Sequence, residues 1–422
     1  MTMNRFWHPF ADMAKVSTAG ELVLESGEGV RVRDTAGREY LDATAGLWYT
    51  NVGYGRAEIA DAMAAQARKI HAYSNFGDMA TTSTLELVER LGEIVPVRDS
   101  AIFLTSGGSD SVDTAIKLAR AYWHQLGRPG KTVFIARDHA YHGMHVAGTS
   151  LAGIPPNRTG YGALLDGVHT VAWDDADALE AKIDEVGAEN VAAFFCEPVI
   201  GAGGVYPPPD GYLKAAREVC RERDVLFVAD EVITGFGRTG AWFASGRFDL
   251  EPDLLTCAKG ITSGYAPLGA VFAAPRVAEP FWSEPGKVMW RHGYTYSGHA
   301  TACAAAVANL TIVADEKLPQ RVDESQHTLA DLLSPLASHP LVGEVRSGVG
   351  LLAAVQLDAG ALASDPALGE KVVATMRERG VLTRLLTGGG LQFSPPLVSD
   401  DADLAAMADG TKDALDDVYG SV

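Results

Sequence analysis

From about residue 100 the chain alternates short apolar, β-rich runs with stretches of helical spacing, and no other feature limits the fold as strongly. AIFL precedes a predicted helix over 109–126, and TVFIA follows it. HTVAW and a helix over 175–186 come next, then VAAFFC with a helix over 210–222, and finally VLFVA, LLTCA and LGAVFAA. Runs of four to six apolar residues bounded by turn signals read as strands buried on both faces. Strands and helices in alternation predict an α/β fold, a mostly parallel sheet covered by helices on both sides. Such sheets bind ligands just outside the carboxyl ends of their strands, so the residues at those ends are where chemistry is expected.

The flanks read differently. Residues 1–19 mix aromatics with His8-Pro9, and Glu21 to Asp42 alternates about a turn at Asp34–Gly37, a small antiparallel unit. AGLWYTNVGYGR reads as a loop over a site or interface, followed by helices over 59–70 and 84–94 and an Ala-rich helix over 299–314. Residues 316–422 carry a charged helix to about Leu336, strands near 342–357, a helix near 366–379, the strands VLTRL and LQFS, and a last helix over 401–418. We expect 1–45 and 316–422 to form the two parts of a smaller α+β domain around a large domain at 46–315. A chain of 422 residues, 47% hydrophobic, can bury several cores. Its net charge of −19 argues against nucleic acid or an anionic membrane as partner. Cys196, Cys220, Cys257 and Cys303 are scattered through apolar runs as reduced core thiols would be, and no signal peptide or run of 18 apolar residues occurs, so the expected location is cytoplasmic.

Two strand ends carry opposite charges. VLFVA ends in Asp230, and DLLTCA is followed by Lys259-Gly260. An amine can form a Schiff base and an acid can hold a pyridinium nitrogen protonated, but these two residues alone fit a buried ion pair equally well. In FLTSGGSDSVDTAIKLAR, Gly107, Gly108 and Ser109 stand between a strand and a helix, where backbone amides and the helix dipole favour an anion such as phosphate. The segment is neither GxxxxGK[ST] nor GxGxxG, and Ser109 or Asp110 also serves as an ordinary N-cap. Tyr141-His142-Gly143 follows TVFIA, where an aromatic could stack on a flat ring. His139, His142 and His145 lack zinc-ligand spacing, so no metal is expected. Glu197 ends VAAFFC before Pro198, and Thr295, Ser297 and His299 precede the Ala-rich helix. Arg384, alone in VLTRLL, is either an edge charge or a carboxylate clamp.

These motifs occur in one order over nearly the whole length: HPFADM, AGLWYTNVGYGR, SGGSDSVDTAIKLAR, YHG, CEPVIGAGGV, VADEVITGFGRTG, AKG, GYTYSGHATA and the arginine before FSPPL. In that order they resemble the class III, fold-type-I, pyridoxal-phosphate-dependent aminotransferases, and within them the ω-amino acid or amine:pyruvate transaminases. The resemblance implies a seven-stranded sheet, pyridoxal 5'-phosphate as cofactor, and a homodimer or tetramer of dimers. The implied reaction moves an amino group from an amine or ω-amino acid to a keto acid, with pyruvate the expected acceptor, in ping-pong half-reactions. Alternatives within the resemblance are 4-aminobutyrate, β-alanine or taurine as donor, or an aminomutase or racemase of the same fold. Carried over by position, Lys259 looks like the Schiff-base lysine and Asp230 like the partner of the ring nitrogen. Val232 and Tyr141 would pack on the ring's two faces, with His142 beside it. Gly108 and Ser109 would hold the phosphate, helped by Thr295 of a neighbouring subunit, while Asp113 and Glu197 would be acids near the cofactor. Trp48 and Tyr141, with Phe10, Phe76 and Tyr294, would wall the substrate pocket, and Arg384 resembles the mobile arginine that binds a keto-acid carboxylate. One departure is Gly107, which stands where the usual phosphate cup has a serine.

Overall fold

The computed structural model describes residues 5–420, so expectations for the first four residues and the last two lie outside it. Its main sheet has seven strands in the order Ala101–Thr105, Gly269–Ala273, Leu254–Cys257, Leu226–Asp230, Val191–Cys196, Val133–Arg137 and Val168–Val171. Gly269–Ala273 runs antiparallel to both neighbours, and the remaining pairs are parallel. Val191–Cys196 and Leu226–Asp230 are buried at every position, which explains their unbroken apolar sequences: helices cover both faces, so no residue is left to point at water. Phe194 and Phe227 meet across the two strands at 5.8 Å, and truncating such a ring costs about 3–5 kcal/mol.

The helix Gly108–Gln125 buries Val112, Ala115, Ile116, Ala119 and Trp123, a face of three- and four-residue spacing laid on the sheet. Trp123 Nε1 donates to the Ala192 carbonyl at 2.9 Å and so fixes the helix to a central strand. Because the first turn of this helix follows directly on the strand Ala101–Thr105, its free N–H groups face the carboxyl edge of the sheet.

Two four-stranded sheets lie outside the main one. Leu24–Glu28, Arg31–Asp34 and Glu39–Asp42 are antiparallel and gain Val381–Leu382 as a parallel fourth strand. Val342–Arg346, Ala353–Leu357, Gly390–Phe393 and Leu385–Leu386 form the other. One apolar cluster joins Val30, Leu41 and Val52 near the start of the chain to Leu318, Val372, Leu404 and Leu415 near its end. The run VLTRL is therefore not the single strand that its sequence predicts. Val381–Leu382 and Leu385–Leu386 pair with different sheets, and Arg384 falls in the break between them. No helix among the described residues is long and apolar enough to cross a membrane.

Candidate active site

Adjacent parallel strands set the two charged ends side by side. Leu226–Asp230 pairs with Leu254–Cys257, with Asp230 opposite Thr256, and Lys259 follows two residues beyond the second strand. Both residues line one cavity of about 150 Å³ with Gly108, Ser109, Tyr141, His142, Gly143, Glu197, Val232 and Ile233. They share the cavity without forming an ion pair: Asp230 pairs with His142 instead.

Asp230 is 4% exposed and accepts three hydrogen bonds. His142 Nδ1 lies 2.7 Å from Oδ2, while Thr256 Oγ1 donates to Oδ1 at 3.1 Å and the Val232 N–H at 3.2 Å. Such donors fix the direction in which the carboxylate points. The far nitrogen of His142, Nε2, is buried with no hydrogen-bond partner among the described residues.

Lys259 has a left-handed backbone at φ 49°, costly for a residue with a side chain. The surrounding chain enforces it. Asn309 Nδ2 donates to the carbonyls of Gly260 and Ile261 at 2.9 and 3.0 Å, and a Cβ at position 260 would come within 2.5 Å of Asn51 Nδ2. Burial pushes the Lys259 amine down to about 8, against the opposing pull of Asp230 and Glu197. An amine of that kind is largely neutral at mildly alkaline pH and is therefore nucleophilic.

The rim above these groups is closely packed around the start of the helix Gly108–Gln125. The backbone closes tightly at Gly108, where a Cβ would come within 2.9 Å of Val232 Cγ1, and at Gly143, where it would meet Ser109 Oγ at 2.6 Å. Ser109 Oγ accepts the Met144 N–H at 3.1 Å, which leaves its own hydroxyl proton free to donate. Asp110 in the first helical turn is turned to the Ser106 N–H at 3.1 Å and to His145 at 2.8 Å, and the start of the helix presents backbone N–H groups. A phosphate on the helix end, with a flat polar ring reaching Asp230, fits the donor set, and the unpartnered His142 Nε2 marks a polar group waiting beside it.

Glu197 accepts the Tyr141 and Gly201 N–H groups at 2.9 and 3.0 Å, so it braces the loop that carries Tyr141 while facing the cavity. Burial raises its carboxyl above the usual range. A second cleft of about 320 Å³ opens outward from Lys259, lined by Phe10, Leu47, Trp48, Tyr141, Ile154, Asn157, Ala202, Arg384, Leu385 and Thr387. The Trp48 ring carries two cations, with Lys259 Nζ 5.4 Å and the Arg384 guanidinium 5.1 Å from its centre.

Four expected residues lie elsewhere in this chain. Asp113 does not line the cavity; it sits one turn further along Gly108–Gln125, with one carboxylate oxygen buried and unpartnered, and burial raises its carboxyl. Tyr294 turns its hydroxyl to the Asp110 carbonyl at 3.1 Å and to Thr114, away from the cleft. Phe76 packs near Gly293, and Thr295 is exposed. Of the three histidines, His142 meets Asp230, His145 meets Asp110 at 2.8 Å, and His139 packs on Tyr206. Asn309, Thr256 and Asn157 escaped the sequence reading, because a lone polar residue in a helix, strand or loop carries no motif.

The description "Aminotransferase class-III" belongs to the family whose model matches residues 13–415. A putrescine–pyruvate aminotransferase of Pseudomonas aeruginosa is 38% identical over 98% of this chain and 94% of its own. A mitochondrial gamma-aminobutyrate transaminase of Oryza sativa is 34% identical over 96% of this chain and 83% of its own. Among solved structures, the omega transaminase of Pseudomonas jessenii in complex with PMP superposes with a TM-score of 0.94 at 34% identity, covering 99% of this chain and 97% of that one.

Proposed function

The chain belongs to the class-III aminotransferases, enzymes that depend on pyridoxal phosphate, and from that premise we propose that it moves an amino group from an amine or ω-amino acid to pyruvate in two half-reactions. One observation carries the reading: an amine with a lowered pKa and a triply hydrogen-bonded carboxylate face the same cavity under an anion-binding helix end, without pairing with each other. Bound there, the cofactor would supply an aldehyde for imine formation and a protonated pyridine ring as electron sink.

The rest falls to the chain's own residues. The Gly108 and Ser109 region holds the phosphate through backbone N–H groups and the Ser109 hydroxyl. Asp230, aimed by His142 and Thr256, faces the ring nitrogen and stabilises its proton. Val232 and Tyr141 border the ring, and Glu197 keeps Tyr141 in place. Lys259 Nζ, released by the incoming amine, accepts the proton from the donor's amine-bearing carbon and passes it on, acting as general base and then general acid. Trp48, Phe10 and Tyr141 form the apolar wall of the outer cleft. Arg384, whose side chain has no hydrogen-bond partner among the described residues, is free to meet the keto-acid carboxylate with its planar fork.

A homodimer is part of the proposal. Phe76, Trp282, Met289 and Tyr296 are large, apolar and more than half exposed, a face that a second copy would cover, and Thr295 on the same segment would then be available to the partner's phosphate site. Four buried, unpaired cysteines support residence in the reducing cytoplasm. The assay is Lys259→Ala, with alanine formation from pyruvate and the visible absorbance of the lysine-bound cofactor as readouts. Both should vanish while the circular dichroism stays native, and retained transamination overturns the assignment. Net transfer between two separate substrates distinguishes this reaction from that of an aminomutase or racemase.

A further inference from the structure

Arg238 is fully buried, and its guanidinium meets no carboxylate among the described residues. Nη1 donates to the carbonyls of Pro395 at 2.5 Å and Leu351 at 3.3 Å, both in the C-terminal part of the chain, and Nη2 donates to Asn51 Oδ1 at 3.0 Å. Nε has no hydrogen-bond partner among the described residues. The backbones interlock as well: the Leu351 N–H donates to the Arg238 carbonyl at 3.2 Å, and a Cβ at Gly350 would come within 2.2 Å of that same oxygen. Taking a lone cation out of water is expensive, and an apolar side chain of similar length would avoid the cost. Stability alone does not account for such an arrangement.

Asn51 carries it on to the lysine. Its amide is fixed at both ends, with Oδ1 accepting from Arg238 and Nδ2 donating to the Phe236 carbonyl at 2.9 Å, while its backbone carbonyl accepts the Leu397 N–H at 2.8 Å. Nδ2 would lie 2.5 Å from a Cβ at position 260, so the carboxamide packs on the backbone directly after Lys259. The next residue, Val52, donates its N–H to Ser263 Oγ at 3.2 Å and braces the far side of the turn that Lys259 begins. Arg238 lines neither the inner cavity nor the outer cleft, so its effect on chemistry must run through these contacts. We infer, resting on the transaminase reading above, that Arg238 is a positioning residue: through Asn51 it ties the C-terminal part of the chain to the left-handed turn at Lys259 and fixes where the amine enters the cavity. Loosening that tie leaves the phosphate cup and Asp230 intact but lets the amine stray, and misplacing a reacting group by about 1 Å costs about 100-fold in rate.

Two ligands that differ at the reacting carbon separate this role from a general loss of structure. Pyridoxine 5'-phosphate binds without an aldehyde for Lys259, whereas pyridoxal 5'-phosphate carries one. In cofactor-stripped protein, quenching of tryptophan fluorescence gives the dissociation constant of the first, and visible absorbance gives the rate at which the second combines with the lysine. Arg238→Lys keeps a cation but loses the planar fork, and Asn51→Ala removes the link. Each should slow combination with pyridoxal 5'-phosphate by about 10- to 100-fold while leaving pyridoxine 5'-phosphate affinity within about twofold. The double variant should be no slower than the slower single one, because both substitutions break the same tie. Arg238→Met, which leaves no buried charge, takes the place of Arg238→Lys should that variant fold poorly. A rate within about twofold of the unsubstituted protein overturns the proposal, as do equal losses for both ligands or effects of the two substitutions that multiply. Absence of the visible absorbance in the unsubstituted protein removes the transaminase reading itself.

Discussion

Gly107 offers a direct measurement of what one hydroxyl contributes to holding the cofactor. It occupies the N-cap of the helix Gly108–Gln125 with no side chain to cap it, and its φ of 165° is extended backbone open to any residue. A Cβ built there meets nothing within 4 Å, so Gly107→Ser costs neither strain nor overlap. The new hydroxyl stands at the mouth of the anion cup beside Ser109. A hydrogen bond to a charged group contributes about 1.5–3 kcal/mol, which translates into a dissociation constant smaller by roughly 10- to 150-fold. Capping alone is worth only a few tenths of a kcal/mol between Gly and Ser, so it cannot mimic that gain. Cofactor-stripped protein would be titrated with pyridoxal 5'-phosphate and, separately, with pyridoxal, following quenching of tryptophan fluorescence. The gain should appear with the phosphorylated ligand and be absent without the phosphate. An unchanged affinity for pyridoxal 5'-phosphate, or an equal gain for both ligands, would refute the placement of the phosphate at this helix end.

Three further outcomes follow from the structure. Since burial lowers the Lys259 amine from 10.5 to about 8, the rate of imine formation in cofactor-stripped protein should rise with pH to a plateau with its midpoint near 8. In the same protein the unfolded chain binds more protons between those two values, so folding stability contributed by this group increases as pH climbs from about 8 towards 10.5; a midpoint near 10 would show that the amine is not desolvated. Gly203→Ala should destabilise by about 3 kcal/mol in denaturant titrations, because its Cβ would lie 1.8 Å from the His139 carbonyl and force the loop bearing Tyr141 and His142 to move. An unshifted denaturation midpoint would show that the two segments are not packed as described.

The sequence by itself determined the layered α/β architecture and the rim on which the chemistry stands. Strands such as VAAFFC and VLFVA have no polar alternation because helices cover both faces, and burial on both faces leaves that signature in composition alone. For the same reason Asp230 and Lys259 were legible as charges ending apolar runs. Other features depend on partners that are distant in the chain. Arg384 read as a strand residue, and only the pairing of Val381–Leu382 with one sheet and Leu385–Leu386 with another opens the break in which it sits. His142 acquires its place from Asp230, 88 residues away, and the strained backbone at Lys259 is held by Asn309 and Asn51. Asp113 and Tyr294 show the opposite case. The resemblance placed Asp113 near the cofactor and Tyr294 at the substrate pocket; in this chain Asp113 is not among the residues lining the cavity, and the Tyr294 hydroxyl donates to the Asp110 carbonyl. Local pattern records which faces are buried, whereas the direction of a single polar side chain is set by the groups that folding brings beside it.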